Sequence, residues 1–379
     1  MRGDTGIVEA GEDPADGAAP ELDAANQAPA EAGAAVPDGS VVRGDIDASV
    51  LAEPIAAPIE KWTWVPFSNA FCANGSSIGI GVNRSTTSAN VVVYFEGGGA
   101  CWSEETCYVQ KTAVYFSIAY NQANFVADTT SPEYMALPGG FFDRTAAANP
   151  FKDASYVYVP YCTGDLHGGS NVVQYGAMKA MHVGYQNFSA FLRRLAPTFP
   201  SAGQIFLTGS SAGGDGALLN FGQTQRAFGN AVVHVIDDSG TLMPADVEAL
   251  GTAIEPSWRT QWNLAAALPA ECEACSTTLA ALYGYYAASF PKSRFSLLSY
   301  QDDSVIPAYY GITTAQFTDG LNEDLSTYFV PNANARSYVA GMFGHVLFFT
   351  PLLATNGTTV QEFVSGLATN DASWASVHP

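Results

Sequence analysis

Basic residues are scarce in this chain: 15 Lys and Arg stand against 36 Asp and Glu, which gives a formal net charge of −21 at pH 7. A protein that binds nucleic acid needs a basic stripe to neutralise phosphates, and the sequence shows none. We therefore expect no nucleic-acid partner.

Aromatic side chains are missing from the amino-terminal part. Residues 1–60 contain no Phe, Trp or Tyr, but they hold 13 Asp and Glu and many Ala, Pro and Gly. Such a segment buries too little apolar surface to offset the entropy lost on ordering. We predict that residues 1–57 form a disordered acidic tether, rich in Ala, Pro and Gly, and that residues 58–379 form the folded domain.

Long apolar runs are also absent. The most apolar stretch, residues 338–354, contains His345 and Pro351 and falls short of a membrane span, so it is predicted as buried core. The first residues lack the basic cluster and the apolar segment of a secretory signal. Because an acidic tether precedes a domain with six cysteines, we expect a secreted, periplasmic or surface-tethered protein whose export signal lies outside this sequence.

One stretch combines a strand, a tight turn and a helix. Residues 205–208 form an apolar, β-prone run, Gly-Ser-Ser-Ala-Gly follows at 209–213, and the next segment can be helical. This is G-x-S-x-G in the context that a nucleophile elbow requires. Small neighbours let the backbone bend and let a substrate carbonyl approach. We predict Ser211 as the nucleophile, with the amide of Ala212 facing a developing oxyanion.

A run of glycines follows an earlier strand. Residues 91–96 form an apolar run that is typical of a strand buried on both faces, and Gly97, Gly98 and Gly99 follow directly. An α/β-hydrolase places the second half of its oxyanion hole in such a loop. An ordinary loop that needs positive φ is the alternative, and the pairing with Ser211 favours the catalytic interpretation.

The pattern of the remaining elements predicts the fold class. Further strands are expected at 155–160, 231–236 and 295–300, and helices at 177–195 and 312–327. Strands that alternate with helices over this length indicate an α/β protein with a mostly parallel sheet and helices on both faces. We predict the α/β-hydrolase fold.

Few histidines are available as the general base. Only His234, His345 and His378 follow Ser211 in the chain, and the α/β-hydrolase order is serine, acid, histidine. His234 lies within a predicted strand and His378 next to the carboxyl terminus. His345 is therefore the candidate base.

The acid that orients this histidine should lie at a strand end between the serine and the histidine. Two pairs qualify, Asp237 with Asp238 and Asp302 with Asp303. The second pair follows a later strand, nearer the histidine, which is the usual placement. Asp303 is the first choice and Asp302 the second.

Six sequence blocks stand in one order along the chain, at residues 95–101, 160–165, 209–214, 238–240, 303–304 and 344–345. Together they resemble the pectin acetylesterase/Notum family of carboxylesterases over residues 62–350. The resemblance implies an α/β-hydrolase without metal or cofactor that removes acyl groups from carbohydrate hydroxyls or, in the Notum branch, from a lipidated serine. It also implies Ser211, Asp303 and His345 as the triad, and it implies an oxyanion hole formed by the amides of Gly98, Gly99 and Ala212.

The six cysteines fit three disulfides in an oxidising compartment. We predict the pairs Cys101–Cys107, Cys72–Cys162 and Cys272–Cys275. The last pair has a redox or metal-binding alternative. No second Cys/His pair supports zinc, and no thioredoxin-like strand and helix flank the pair, so a local disulfide is preferred.

The leading functional hypothesis is a monomeric serine carboxylesterase. It would hydrolyse acetyl or other short-chain acyl esters, on carbohydrate, through an acyl-enzyme. One alternative is a lipase or polyester-type hydrolase with a broad apolar cleft. Another is a non-catalytic carbohydrate-binding relative that keeps the fold, which would have no need of a complete triad.

The assignment of the nucleophile has a direct test. Ser211→Ala should lower turnover of a soluble ester by about 10³-fold or more while the protein stays folded, because triad members act as a unit. Loss of activity in Ser210→Ala, with activity kept in Ser211→Ala, would show that the elbow is misassigned.

Overall fold

The structure is a computed structural model that describes residues 51–131, 136–244, 247 and 254–379. Its strands are β1 (Thr63–Phe71), β2 (Ser77–Asn83), β3 (Val91–Phe95), β4 (Ser155–Val159), β5 (Asn171–Tyr175), β6 (Met178–His182), β7 (Gln204–Ser210), β8 (Val232–Asp238), β9 (Phe295–Asp303), β10 (Ala335–Gly344), β11 (Ala354–Thr355) and β12 (Thr358–Thr359). Its helices are α1 (Gln122–Thr130), α2 (Gly184–Thr198), α3 (Ala212–Leu219), α4 (Phe221–Phe228), α5 (Glu255–Gln261), α6 (Ala281–Ser289), α7 (Ile306–Tyr310), α8 (Thr314–Asp324) and α9 (Val360–Ala368).

Eight strands form the main sheet, in the order β1-β2-β4-β3-β7-β8-β9-β10. The pairs β1/β2 and β2/β4 are antiparallel, and every other neighbouring pair is parallel. All residues of β3 and β4 are buried, so both faces of the sheet are covered. The predicted α/β class with a mostly parallel sheet is confirmed.

The order in which strands are added to the sheet reverses at β3. Val91 pairs with Ser155 of β4 on one side and with Ile205 of β7 on the other. Later strands then add outward from β7 to β10. A crevice forms outside the carboxyl ends of parallel strands where the strand order switches in this way. Both the glycine run after β3 and the serine after β7 therefore lie at this crevice.

The helix predicted at 177–195 is wrong in its first part. Residues 178–182 form β6, which pairs antiparallel with β5, and the helix begins only at Gly184. Gly176, at φ 56°, starts the two-residue loop between the strands, where a hairpin turn favours glycine. The apolar residues of the hairpin happen to have a spacing that also suits a helix, so periodicity alone did not mark the start of α2. The helix predicted at 312–327 is confirmed as α8.

The tether predicted for residues 1–57 extends too far. Ile55 is only 2% exposed and belongs to the hydrophobic core, and its amide donates to Thr198 Oγ1 at 2.7 Å. The amide of Ala52 donates to the Arg193 carbonyl at 2.9 Å. Residues 51–57 thus pack on α2, because a few apolar side chains suffice when a complementary surface exists. Residues 1–50 lie outside the described residues.

The stretch predicted as buried core at 338–354 is buried only in part. Its first residues lie in β10 and are buried, whereas Met342 and Phe343, near the end of that strand, are 50% and 72% exposed. An apolar run predicts a strand but not which of its residues extend past the sheet. Within the described residues, no helix has the length and apolar character needed to cross a membrane.

All three predicted disulfides are present: Cys72–Cys162, Cys101–Cys107 and Cys272–Cys275. The first joins the segment after β1 to the segment after β4, and the second closes the loop that follows the glycine run. The first closes the longest chain segment, with a sequence separation of 90 residues. It therefore constrains the unfolded chain most in the loop-entropy description.

The packing of residues 51–57 predicts a stability effect. Ile55→Ala should lower the free energy of unfolding by about 2–5 kcal/mol, because it removes buried methyl groups and leaves a cavity. Leu51→Ala is the control, since Leu51 is 57% exposed, and it should change stability by less than about 0.5 kcal/mol. Equal denaturation midpoints for the two variants would contradict the docking of this segment.

Candidate active site

Loops that follow five neighbouring strands, β3, β7, β8, β9 and β10, meet at one edge of the sheet. Phe95 pairs with Gly209, Ser210 with Asp238, and Gly344 with Asp303. Because these strands are parallel and in register, the residues that come after them are placed side by side. The edge therefore collects the glycine run, Ser211, the two acid pairs and His345.

Ser211 lies in a sharp turn between β7 and α3. Its backbone has φ 56° and ψ −128°, a conformation that side-chain-bearing residues rarely adopt. Its amide donates to the Asp238 carbonyl at 2.7 Å. A Cβ at Gly209 or Gly213 would overlap backbone atoms, so both glycines are needed for the close approach of α3 to the sheet. These are the features expected of a nucleophile elbow.

His345 and Asp303 are hydrogen-bonded. The distance between His345 Nδ1 and Asp303 Oδ2 is 2.8 Å, and the Asp303 side chain is fully buried. Asp303 Oδ1 accepts the amides of Val305 and Ile306, each at 2.8 Å. A carboxylate can only accept, so this contact leaves the proton on Nδ1 and the lone pair on Nε2. Such a ring can accept a proton at Nε2.

Within the part of the chain that the structure describes, none of the three other candidate acids makes a hydrogen bond to the His345 ring. Asp302 is the partner of Phe343 in the sheet and is partly exposed. Asp237 Oδ2 accepts the Tyr283 hydroxyl at 2.6 Å. Asp238 accepts the Ser210 hydroxyl at 2.7 Å. The structure thus brings Asp303, of the four candidates, to the histidine.

Two buried carboxyls lie behind the elbow. Burial raises the pKa of both Asp237 and Asp215, and the nearby Asp237 charge raises the pKa of Asp215 further. Asp215 is in the first turn of α3, four residues after Ser211. Neutral forms are favoured when two such groups share a buried region. Asp237 Oδ1 also accepts the Gly240 amide at 2.9 Å, so this acid holds the loop that follows β8.

The glycine loop has the backbone conformation that its composition predicts. Gly98 has φ 132° and Gly99 φ 74°, and the Gly98 carbonyl accepts the Val114 amide at 2.8 Å. Within the described chain, the amides of Gly98 and Gly99 have no hydrogen-bond acceptor. The amide of Ala212 is the first of α3, so no intrahelical carbonyl is available to it. These amides can therefore donate hydrogen bonds to the oxyanion of a bound reaction intermediate.

Three histidines have structural positions. Burial lowers the pKa of His167, His182 and His234 to about 4 in each case. His167 Nε2 bonds the Glu96 carbonyl at 2.8 Å, and His182 Nδ1 bonds the Thr163 carbonyl at 2.8 Å. Neutral, hydrogen-bonded rings of this kind hold the loops that follow β3 and β4.

Two residues of the site were not anticipated from the sequence. The Tyr309 hydroxyl donates to the Thr112 carbonyl at 2.5 Å and lies directly against Gly99. The buried Glu96 carboxylate accepts the Tyr161 amide at 2.8 Å, and burial raises its pKa. Nothing in the sequence near Tyr309 marks it, because its contact spans almost 200 residues of chain. Among the described residues, no cluster of three His, Cys, Asp or Glu side chains is arranged to hold a metal ion.

A family model described as Pectinacetylesterase matches residues 61–323. The chain belongs to the pectinacetylesterase family. The match includes the glycine loop, Ser211 and Asp303, whereas His345 lies beyond it. Membership of the pectinacetylesterase family confirms the resemblance seen in the sequence blocks and agrees with an α/β-hydrolase fold for the eight-stranded sheet.

Several curated relatives carry the name palmitoleoyl-protein carboxylesterase. Those from Schmidtea mediterranea, Drosophila melanogaster and Homo sapiens are 28%, 24% and 26% identical over 193, 219 and 155 residues. The alignments cover 46%, 53% and 39% of this chain, and 33%, 31% and 28% of the relatives. This pectinacetylesterase-family chain thus spans about a third of the length of those relatives.

The glycine loop yields a testable prediction. Gly99→Ala should lower kcat/KM by about 10²-fold or more, because the added Cβ overlaps Thr112 O and Tyr309 Oη and displaces an oxyanion donor. Gly139→Ala is the matched control, since Gly139 also has positive φ but no atom within 4 Å of the added Cβ. Backbone strain should cost each variant about 1–2 kcal/mol of stability, and the overlap adds a further cost in Gly99→Ala only. Equal kcat/KM in the two variants would contradict the role of Gly99.

Proposed function

We propose that this protein is a serine carboxylesterase that uses Ser211, His345 and Asp303 as its triad. The observation that carries the proposal is the 2.8 Å hydrogen bond from His345 to the buried Asp303. The bond lies at the same sheet edge as the strained elbow of Ser211. The carboxylesterase names of the relatives support the same reaction class.

The proposed reaction has two stages. His345 Nε2 takes the proton of Ser211 Oγ as this oxygen attacks the ester carbonyl, and it then donates the proton to the departing alcohol. Water attacks the resulting acyl-enzyme in the same way and releases the acid. Asp303 holds the ring in the required tautomer and stabilises the imidazolium.

The oxyanion of each tetrahedral intermediate would be held by the amides of Gly98, Gly99 and Ala212. Their fixed orientation means that no reorganisation is needed as the negative charge develops. Each such donor contributes about 10²–10³-fold to kcat in serine hydrolases. The geometry behind this assignment is the positive φ of both glycines and the position of Ala212 at the start of α3.

For the substrate we propose short-chain acyl esters, acetyl first, on hydroxyls of carbohydrate. The description of the matching family supports this choice. The three disulfides suit an oxidising compartment, so we propose a secreted or surface-located enzyme.

A second candidate is a hydrolase of more apolar esters. Met342, Phe343 and Leu352 flank His345 in sequence and are 50%, 72% and 76% exposed. Exposed apolar side chains near a reactive centre favour an apolar acyl chain or an apolar surface as partner. The names of the relatives, which specify a palmitoleoyl ester, are in keeping with this candidate.

Chain-length preference separates the two candidates. We would measure kcat/KM on p-nitrophenyl esters from acetyl to palmitoyl, beside acetate release from acetylated pectin and xylan. Highest kcat/KM on acetyl, with release from a polysaccharide, supports the first candidate. A maximum at long chains that falls in Phe343→Ser supports the second.

The acid of the triad gives the sharpest prediction. Asp303→Asn should lower kcat by up to about 10⁴-fold, because an amide in its place stabilises neither the required tautomer nor the imidazolium. Asp302→Asn is the matched control, at the adjacent and partly exposed position, and should keep most activity. The reverse result would move the acid by one residue. Activity retained in both variants would remove this pair from the triad.

A further inference from the structure

Asp238 accepts more of the hydrogen bonds found among the described residues than Asp237, Asp302 or Asp303, the other aspartates at the sheet edge. Its Oδ1 accepts the Leu347 amide at 2.7 Å and the Ser239 hydroxyl at 3.3 Å. Its Oδ2 accepts the Ser210 hydroxyl at 2.7 Å and the Phe348 amide at 3.0 Å. A carboxylate has about four acceptor sites, and all are used here. Asp238 is fully buried, so these contacts are protected from water.

These donors come from two separate parts of the candidate site. Ser210 immediately precedes the nucleophile, and the Asp238 backbone carbonyl also accepts the Ser211 amide at 2.7 Å. The amides at 347 and 348 belong to the loop that begins at His345, 109 and 110 residues later in the chain. One carboxylate thus joins the serine elbow to the histidine loop.

The histidine loop is strained at the residue after the base. Val346 has φ 68°, which is unfavourable for any L-residue and particularly for a β-branched one. Its amide donates to Ser239 Oγ at 3.1 Å, and the next amide donates to Asp238. Hydrogen bonds from both sides therefore hold Val346 in this conformation, which sets the direction in which His345 leaves β10.

We propose that Asp238 is a positioning residue that holds the serine elbow and the histidine loop in one geometry and keeps Val346 in the left-handed conformation. The proposal rests on the triad of the proposed function. It is distinct from the orienting role of Asp303, because no hydrogen bond among the described residues joins Asp238 to the His345 ring. The proposal thus assigns a role to Asp238, the acidic residue of the sequence block 238–240.

The first test replaces the carboxylate by an amide of the same shape. In Asp238→Asn the side-chain nitrogen cannot accept, so either the Ser210 and Phe348 donors at Oδ2 or the Leu347 and Ser239 donors at Oδ1 lose their partner. We expect kcat to fall by about 10²-fold through misplacement of the base, with KM changed by less than about threefold. Asp302→Asn serves as the control for a nearby acid outside this network. An unchanged kcat in Asp238→Asn would overturn the proposal.

The second test uses glycine to relieve the strain. Glycine adopts positive φ without a Cβ penalty of about 1–2 kcal/mol, so Val346→Gly in the Asp238→Asn background should recover kcat by about tenfold. Val346→Ala is the matched control, because it removes the same apolar atoms except Cβ, and it should recover nothing. Because relief of strain also stabilises the fold, kcat is compared at a temperature where circular dichroism shows all variants to be fully folded. Equal recovery in both double variants would overturn the role of Val346.

A third measurement does not depend on ester hydrolysis. Hydrogen–deuterium exchange should rise by about tenfold or more in a peptide covering residues 344–350 of Asp238→Asn, and stay unchanged there in Asp302→Asn, because only the former loses acceptors for that loop. Unchanged exchange in Asp238→Asn would overturn the proposal. Failure of the wild type to hydrolyse any ester, or of Ser211 to react with a fluorophosphonate, would instead overturn the proposed function, and the exchange result would still decide whether Asp238 holds the loop.

Discussion

Parallel strand register is the constraint on which the site depends. Phe95 is level with Gly209, Ser210 with Asp238, and Asp303 with Gly344, so the loops after β3, β7, β8, β9 and β10 all emerge at one edge. A shift of one strand by a single residue would turn its side chains to the opposite face and separate these groups. The hydrophobic burial of both faces of β3 and β4 opposes such a shift.

Strain and small residues are concentrated at this edge. Ser211, Ser239 and Val346 have positive φ, and Gly209 and Gly213 allow a helix to lie against the backbone of the sheet. Conformations of this kind persist only where the surroundings over-determine them. Here the surroundings are hydrogen bonds to buried acceptors, with Asp238 and Asp303 each accepting two backbone amides. Stability and the geometry of the site therefore depend on the same carboxylates.

Much of the fold could be predicted from the sequence, because its central strands are short apolar runs bounded by glycine, proline or acid residues. The errors arose where a local pattern had two solutions. The spacing of residues 177–195 suits a helix, but pairing with β5 converted residues 178–182 into a strand. Composition suggested a tether up to residue 57, but Ile55 packs in the hydrophobic core and its amide donates to Thr198 of α2. Both outcomes depend on contacts with residues far away in the chain, and a short stretch of sequence carries no information about such contacts.

By itself the sequence determined the α/β class and the strand–turn–helix position of Ser211, and it left His345 as the candidate base among few histidines. These follow from local chemistry: G-x-S-x-G needs small residues at fixed spacing, and chain order leaves few bases. Only the tertiary structure decided which acid meets the histidine. Asp237, Asp238, Asp302 and Asp303 all follow strands and are locally equivalent. The parallel register of β9 and β10 brings the Asp303 carboxylate to His345, 42 residues away in the chain, and leaves Asp238 to bind the loop behind it.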